Sequence, residues 1–302
     1  MFFTELLIFF AALNTILVLF FQSKGFDQSN NYQVNETLND FNFSCGITNS
    51  HARIINGFST KPHFWPWIVS LRTKNSFFNT FSSHFCAGTV IDHFTILTAA
   101  HCVKNLNAKK LVIIAGIYNL KDKIQESNIF YVDNFEYHSL YNITQYDIAL
   151  LKISKKLLFN EKFGPICLPP EWMNTKFLLN KTLTLIGWGS TDGFRDSKSL
   201  ANSLQQTSLK AINGNYKCSE FVYYDAQKII CAIDEEEMRE SNACYGDSGG
   251  PLMIQLENKW YIIGITSFII SDRNGHCNRL YPSYYTNVNS YIDWINQTAK
   301  IL

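Results

Sequence analysis

From Ile54 onward, short apolar or alternating runs recur between turn-forming clusters: Ile68 to Leu71, Leu111 to Ala115, Ile148 to Ile153, Thr182 to Ile186 and Trp260 to Thr266. Runs of this length and spacing predict an all-β sandwich or barrel set rather than βαβ units. Near the C-terminus Val288, Tyr291, Ile292 and Ile295 fall at helical spacing, which predicts a closing helix with one apolar face on the body. Asp234 to Glu240 is an acidic run with one arginine and reads as a solvated surface loop.

The pattern before Ile54 is different. Leu6 to Phe21 is apolar and is followed by the small residues Ser23 and Gly25, which suits a secretory signal cleaved near Gly25. A membrane anchor is the competing reading. The run is short for a span, contains Asn14 and Thr15, has no Lys or Arg before it and has Lys24 on its far side, so a cleaved signal is favoured. Phe26 to Ser44 is rich in Asn, Gln and Ser and reads as a flexible tether.

With 302 residues, 46% of them hydrophobic, the chain can bury a substantial core. A formal net charge of +1 supplies no bulk attraction for nucleic acid or acidic membrane. Eight cysteines behind an export signal suggest four disulfides. Their pairing is open among about 105 possibilities on sequence alone. Sequons at Asn35, Asn42, Asn142, Asn180 and Asn296 are glycosylation candidates and fit the same oxidising route. There is no CxxC pair and no HExxH, so neither a metal nor another cofactor is expected.

Three segments carry the candidate chemistry. Cys244-Tyr245-Gly246-Asp247-Ser248-Gly249-Gly250-Pro251 surrounds Ser248 with small residues that let a turn present an exposed nucleophile. Leu97-Thr98-Ala99-Ala100-His101-Cys102 supplies an imidazole, whose ordinary pKa suits it to accept a serine proton near neutral pH. Tyr146-Asp147-Ile148-Ala149-Leu150-Leu151 supplies an aspartate expected inside an apolar strand, where a carboxylate is costly to bury without a partner such as His101.

The order His, Asp, Ser together with these three motifs resembles the chymotrypsin-like (trypsin-fold) serine endopeptidases, over Cys45 to the end of the chain. The resemblance implies two six-stranded antiparallel β-barrels with the active site between them and a C-terminal helix. It implies that His101, Asp147 and Ser248 are catalytic and that the N–H groups of Gly246 and Ser248 form the oxyanion hole. Arg53-Ile54-Ile55-Asn56-Gly57 is similar to the family's zymogen cleavage site, where the Ile54 amine freed after Arg53 pairs with Asp247. Residues 1–25 would then be the signal, 26–53 a pro-segment and 54–302 the peptidase domain. The implied disulfides are Cys86 with Cys102, Cys218 with Cys231, Cys244 with Cys277, and Cys45 with Cys167, the last tethering the pro-segment after cleavage. A further disulfide of many relatives is missing, with Leu183 and Ile254 at its positions.

Specificity departs from the common pattern. By the resemblance Asn242 lies at the base of the primary pocket, where a trypsin-like enzyme has an aspartate to meet Lys or Arg. Ser267-Phe268-Ile269 matches the edge strand Ser-Trp-Gly, and Ser283 stands where a glycine is common. The combination resembles the pancreatic elastases and implies small aliphatic residues before the scissile bond. Such a pocket would not cut efficiently after Arg53, so a separate trypsin-like activating protease is expected as a partner. The loop Ile117 to Glu126 matches the family's calcium loop but is poor in carboxylates, with Ile117 at the first ligand position.

The expected protein is therefore a secreted serine endopeptidase acting on protein or peptide substrates, with no nucleic-acid partner and monomeric by default. A catalytically silent binding protein on the same fold is the alternative, since fold does not fix function. The same protease held at a membrane through Leu6 to Phe21 is another.

Overall fold

The computed structural model describes residues 44–49, 59–75, 80–214, 216–220, 222–223, 225–234, 241–278 and 280–302. The expected leader, most of the tether, Asn35, Asn42 and the segment Arg53 to Gly57 lie outside them.

The predicted strands form, and they close into two barrels. The first contains β1 (Ile68–Asn75), β3 (Cys86–Val90), β4 (Thr95–Thr98), β5 (Leu111–Ala115), β6 (Ile129–Tyr137) and β7 (Ala149–Ile153). Its order is β1-β3-β4-β7-β6-β5, closed by β1 pairing with β5, and the two-residue strand β2 (Thr80–Phe81) extends one edge of β1. The second contains β8 (Thr182–Gly187), β9 (Gln205–Ala211), β10 (Ile229–Asp234), β11 (Pro251–Leu256), β12 (Lys259–Ile269) and β13 (Ser283–Asn287). It closes in the order β10-β13-β12-β11-β8-β9, and every pairing in both barrels is antiparallel.

Closure removes the free sheet edges, and Leu111–Ala115 is buried along its whole length, on both faces of the strand. One core runs through the first barrel and reaches the second through Met253, Ile262 and Ile265. Between the barrels the Trp67 indole N–H points at Met253 Sδ, 3.1 Å away. A 3₁₀ turn, Val288–Tyr291, leads into the C-terminal helix Ile292–Ile301. Val288 and Tyr291 of the turn and Ile295 of the helix are buried, and Ile292 packs half-buried against the same core, as the spacing predicts.

Four disulfides are present, in the pairing that the resemblance implies: Cys45–Cys167, Cys86–Cys102, Cys218–Cys231 and Cys244–Cys277. Around the first, the Gly46 N–H donates to the Pro165 carbonyl at 2.8 Å and Trp260 N–H donates to the Gly46 carbonyl at 2.9 Å, which seats this end of the segment on the body. Leu183 and Ile254 are both buried in one hydrophobic cluster, each next in its strand to the paired residues Thr184 and Met253. Apolar packing thus occupies the two positions where the resemblance expects the missing disulfide. Ile117 is also buried, within the core of the first barrel rather than facing a loop.

Two expectations are corrected. Asp147 is not inside a strand: it precedes β7, after Tyr146 at φ +57, where its carboxylate is freed from a ladder and can turn to a partner. Asp234 does not begin a solvated loop. It ends β10, is buried, and accepts the Ser241 N–H at 2.9 Å and the Ser241 hydroxyl at 2.8 Å, which answers the cost of burying it. The rest of that acidic run, 235–240, lies outside the described residues.

Candidate active site

A cleft of about 590 Å³ lies where the two barrels meet, and His101, Ser248 and Gly246 all line it. His101 comes from a single helical turn, Ala100–Val103, that follows β4 directly. The buried small side chains of Ala99 and Ala100 permit the tight passage from strand to turn, and Cys102 braces it to Cys86 at the start of β3. No side chain caps this turn locally; instead Asp147 Oδ1 accepts the His101 main-chain N–H at 2.9 Å. A helical N-terminus leaves such amides without intrahelical partners, so the carboxylate satisfies one of them from across the fold.

Asp147 does three further things from its buried position, 1% exposed. Its Oδ2 is 2.7 Å from His101 Nδ1 and accepts the Ser267 hydroxyl at 2.6 Å, while its carbonyl accepts the Thr286 hydroxyl at 2.8 Å. A carboxylate acceptor at Nδ1 selects the tautomer with its proton there, leaving the Nε2 lone pair for the cleft. Among the described residues no hydrogen bond joins Nε2 to Ser248 Oγ; Nε2 lies 3.6 Å from Cys102 Sγ.

The serine turn is anchored to both barrels. Ala87 N–H, in β3, donates to the Ser248 carbonyl at 2.8 Å, and Gly249 N–H donates to the Thr266 carbonyl of β12 at 2.8 Å. Gly246 has φ +102, a conformation that L side chains rarely adopt, and a Cβ there would meet Leu200 Cδ2 at 2.6 Å. Among the described residues neither the Gly246 nor the Ser248 N–H is bonded to another acceptor, so both are available at the cleft.

Behind the turn, the Asp247 carboxylate is buried and accepts N–H groups from Gly189 at 2.8 Å and Cys244 at 2.9 Å. Burial pushes this carboxyl up to about 6, against the pull of the two amides. A Cβ on Gly189 would lie 2.1 Å from Asp247 Oδ2. Gly189→Ala is therefore expected to displace Asp247 and, with it, the serine turn, lowering kcat/KM at least 100-fold and the unfolding temperature by several degrees. Calorimetry and ester hydrolysis on the variant beside the wild type measure the two effects.

The pocket residues divide into two groups. Ser267, Phe268 and Ile269 line the cleft, whereas Asn242 and Ser283 are not among its lining residues. Asn242 is bonded internally on both sides of its amide: Nδ2 donates to the Tyr281 carbonyl at 2.7 Å, and Oδ1 accepts the Ser283 hydroxyl at 2.6 Å and the Ala243 N–H at 2.9 Å. Phe268 stacks on buried Tyr284 with ring centroids 4.5 Å apart.

Sequence reasoning missed several contributors. His84, Phe85, Leu200, Tyr245 and Arg195 also line the cleft, with the Arg195 guanidinium 5.6 Å over the Tyr245 ring and the Tyr245 hydroxyl donating to Gly275. Tyr245 lies in the serine motif but carries no chemical signal there; the other four lie in no motif that marks them and reach the cleft through the tertiary fold. Ser267 is found as a pocket wall, but its bond to Asp147 joins residues 120 positions apart and has no local signal.

Two closed, six-stranded antiparallel barrels meeting at such a cleft are the trypsin fold. A family model described as Trypsin matches residues 54–295, and the chain belongs to the trypsin family of serine proteases. Among the described residues no helix is long and apolar enough to cross a membrane.

Proposed function

We propose that this chain is a secreted serine endopeptidase, made as a zymogen and activated by cleavage after Arg53. One observation carries the catalytic reading: buried Asp147 holds both the ring Nδ1 and the main-chain N–H of His101, on the wall of a cleft that Ser248 shares. In this reading His101 Nε2 takes the Ser248 hydroxyl proton as Oγ attacks the scissile carbonyl, and returns it to the leaving amine. The acyl-enzyme is then hydrolysed by the same steps with water as nucleophile. The N–H groups of Gly246 and Ser248 receive the oxyanion, and each such donor is worth about 100- to 1000-fold in rate. The bond between His101 and Ser248 is completed as substrate enters, since catalytic hydrogen bonds are often long before the site closes.

For specificity, the supporting observation is the internal bonding of Asn242 and Ser283 behind the cleft, with Ile269 on its wall. A neutral base whose polar groups are already paired does not compensate the burial of a lysine or arginine charge. Small aliphatic residues before the scissile bond are the preferred class, and a separate trypsin-like protease makes the activating cut. The three sequons in described positions, Asn142, Asn180 and Asn296, are exposed, in keeping with glycosylation on the secretory route. Monomer is the proposed state.

The test is covalent labelling by a serine-directed phosphonate, followed by cleavage of a peptide library varied at the residue before the scissile bond, on protein cut after Arg53. Labelling at Ser248 and cleavage after Ala or Val are expected; no labelling would favour the silent-scaffold alternative. In the same library Ile269→Gly is expected to raise cleavage after Phe relative to Ala about tenfold, by removing the side chain that narrows the entrance. An unchanged ratio would remove Ile269 from the specificity determinants.

A further inference from the structure

Beneath the serine turn runs a line of polar groups that the three catalytic candidates do not use. Arg72, in β1, is 7% exposed, and among the described residues no carboxylate is paired with it. Its Nη2 donates to the Leu120 carbonyl at 3.2 Å and its Nε donates to Ser70 Oγ at 3.3 Å. Ser70 Oγ is 2.9 Å from His84 Nδ1, and His84 Nε2 is 2.8 Å from the Gly246 carbonyl oxygen. Ser70 and His84 are buried as well, at 0% and 4% exposed.

The chemistry of the two ends settles the direction of every link. A guanidinium only donates, and a carbonyl only accepts. With Arg72 donating to Ser70 Oγ, the Ser70 proton has His84 Nδ1 as its acceptor, so the imidazole proton sits on Nε2 and is donated to Gly246. The opposite tautomer would aim the Nε2 lone pair at the Gly246 oxygen. It would also leave the buried Ser70 proton without an acceptor, because Nδ1–H would then be a second donor to the same hydroxyl. Burial drives the His84 pKa down to about 4, with the nearby Arg72 charge acting in the same direction and the Gly246 bond opposing both, so the ring is neutral at working pH and carries one proton to place.

We propose that Arg72 is a positioning residue for the oxyanion turn: by orienting the Ser70–His84 pair it makes His84 hold the Gly246 carbonyl, which keeps the Gly246 N–H facing the cleft. Among the described residues the bond from His84 is the one made to the Gly246 main chain, and a glycine at φ +102 has no side chain to hold it in place. The proposal rests on Gly246 being an oxyanion donor, and it adds a residue of β1 that does not line the cleft and touches neither substrate nor reacting atoms.

The test joins spectroscopy to kinetics. In the full chain labelled with ¹⁵N-histidine, with His84 assigned through His84→Gln, the ring is expected as the Nε2–H tautomer, and Arg72→Met is expected to introduce the Nδ1–H form. After cleavage following Arg53, Arg72→Met should lower kcat about tenfold while KM changes less than twofold, since only transition-state binding is affected. Ser70→Ala should lose a similar factor, and the double variant no more than either alone, because the two act through one chain of bonds. Arg72→Lys should recover part of the loss. An unchanged tautomer and kcat in Arg72→Met, or losses that multiply in the double variant, would overturn the proposal. Should Arg72→Met fail to fold, Arg72→Gln carries the same comparison of tautomer and kcat, and an Nδ1–H tautomer in the wild-type chain would overturn the proposal. If the cut wild-type enzyme proves inactive, the catalytic reading fails by itself, and the tautomer shift in Arg72→Met still decides whether Arg72 orients His84.

Discussion

Ser248→Ala, in protein cut after Arg53, is expected to lower kcat on a peptide ester about 10⁶-fold, to the level left by the cleft and its amides alone. A serine, its base and the group that orients the base act as a unit, so His101→Ala should cost a similar factor and the double variant little more. Asp147→Asn is expected to lose about 10⁴-fold: the amide oxygen can keep the bond from the His101 main chain, but the amide nitrogen then takes the place of Oδ2, where it cannot accept the Ser267 proton and presents a donor to Nδ1, selecting the wrong tautomer. Single-turnover hydrolysis with burst detection measures all three. A Ser248→Ala enzyme with more than a hundredth of wild-type kcat would mean that another group performs the attack.

Asp247→Asn carries the second large effect, and it acts on activity and stability through opposite signs. In the cut enzyme the loss of the carboxylate proposed to receive the Ile54 ammonium should cost about 3–5 kcal/mol, or roughly 150- to 5000-fold in kcat/KM. In the uncut protein the same carboxylate is a buried charge held only by two amides among the described residues. Its folded pKa of about 6 lies above the ordinary 3.8, so between those values the folded chain binds a proton that the unfolded chain has released. The stability this contributes is complete below about pH 4 and is lost as pH rises through 6. Wild-type uncut protein should therefore gain about 1 kcal/mol more than Asp247→Asn on going from pH 7.5 to pH 5 in urea unfolding. Equal gains would show that Asp247 does not titrate in this range.

Much of this molecule was legible because it depends on short stretches of chain. The strands follow from apolar runs whose β-branched and aromatic side chains fit a pleated, buried surface, and Leu111 to Ala115 is read to the residue. The serine turn announces itself by its glycines, since Gly246 needs a backbone angle that other residues resist. The failures were at polar groups. Asp234 looked like the first residue of a solvated run because its neighbours are acidic, yet Ser241 provides the donors that let it be buried. Asp147 looked like a strand residue because Ile148 to Leu151 is apolar, yet it sits just before β7, where it reaches His101 and Ser267.

By itself the sequence marked five of the strand runs and the cysteines available to crosslink them, because these depend on residue type and local spacing, and its three motifs carried the resemblance that nominates His101, Asp147 and Ser248. Tertiary structure alone decided who satisfies the buried charges: Ser267 and Thr286 at Asp147, Gly189 at Asp247, and the line from Arg72 through Ser70 and His84 to Gly246. A buried polar group must find a partner or lose the hydration it gave up, and in closed barrels those partners come from strands remote in the chain. Local spacing carries no record of them.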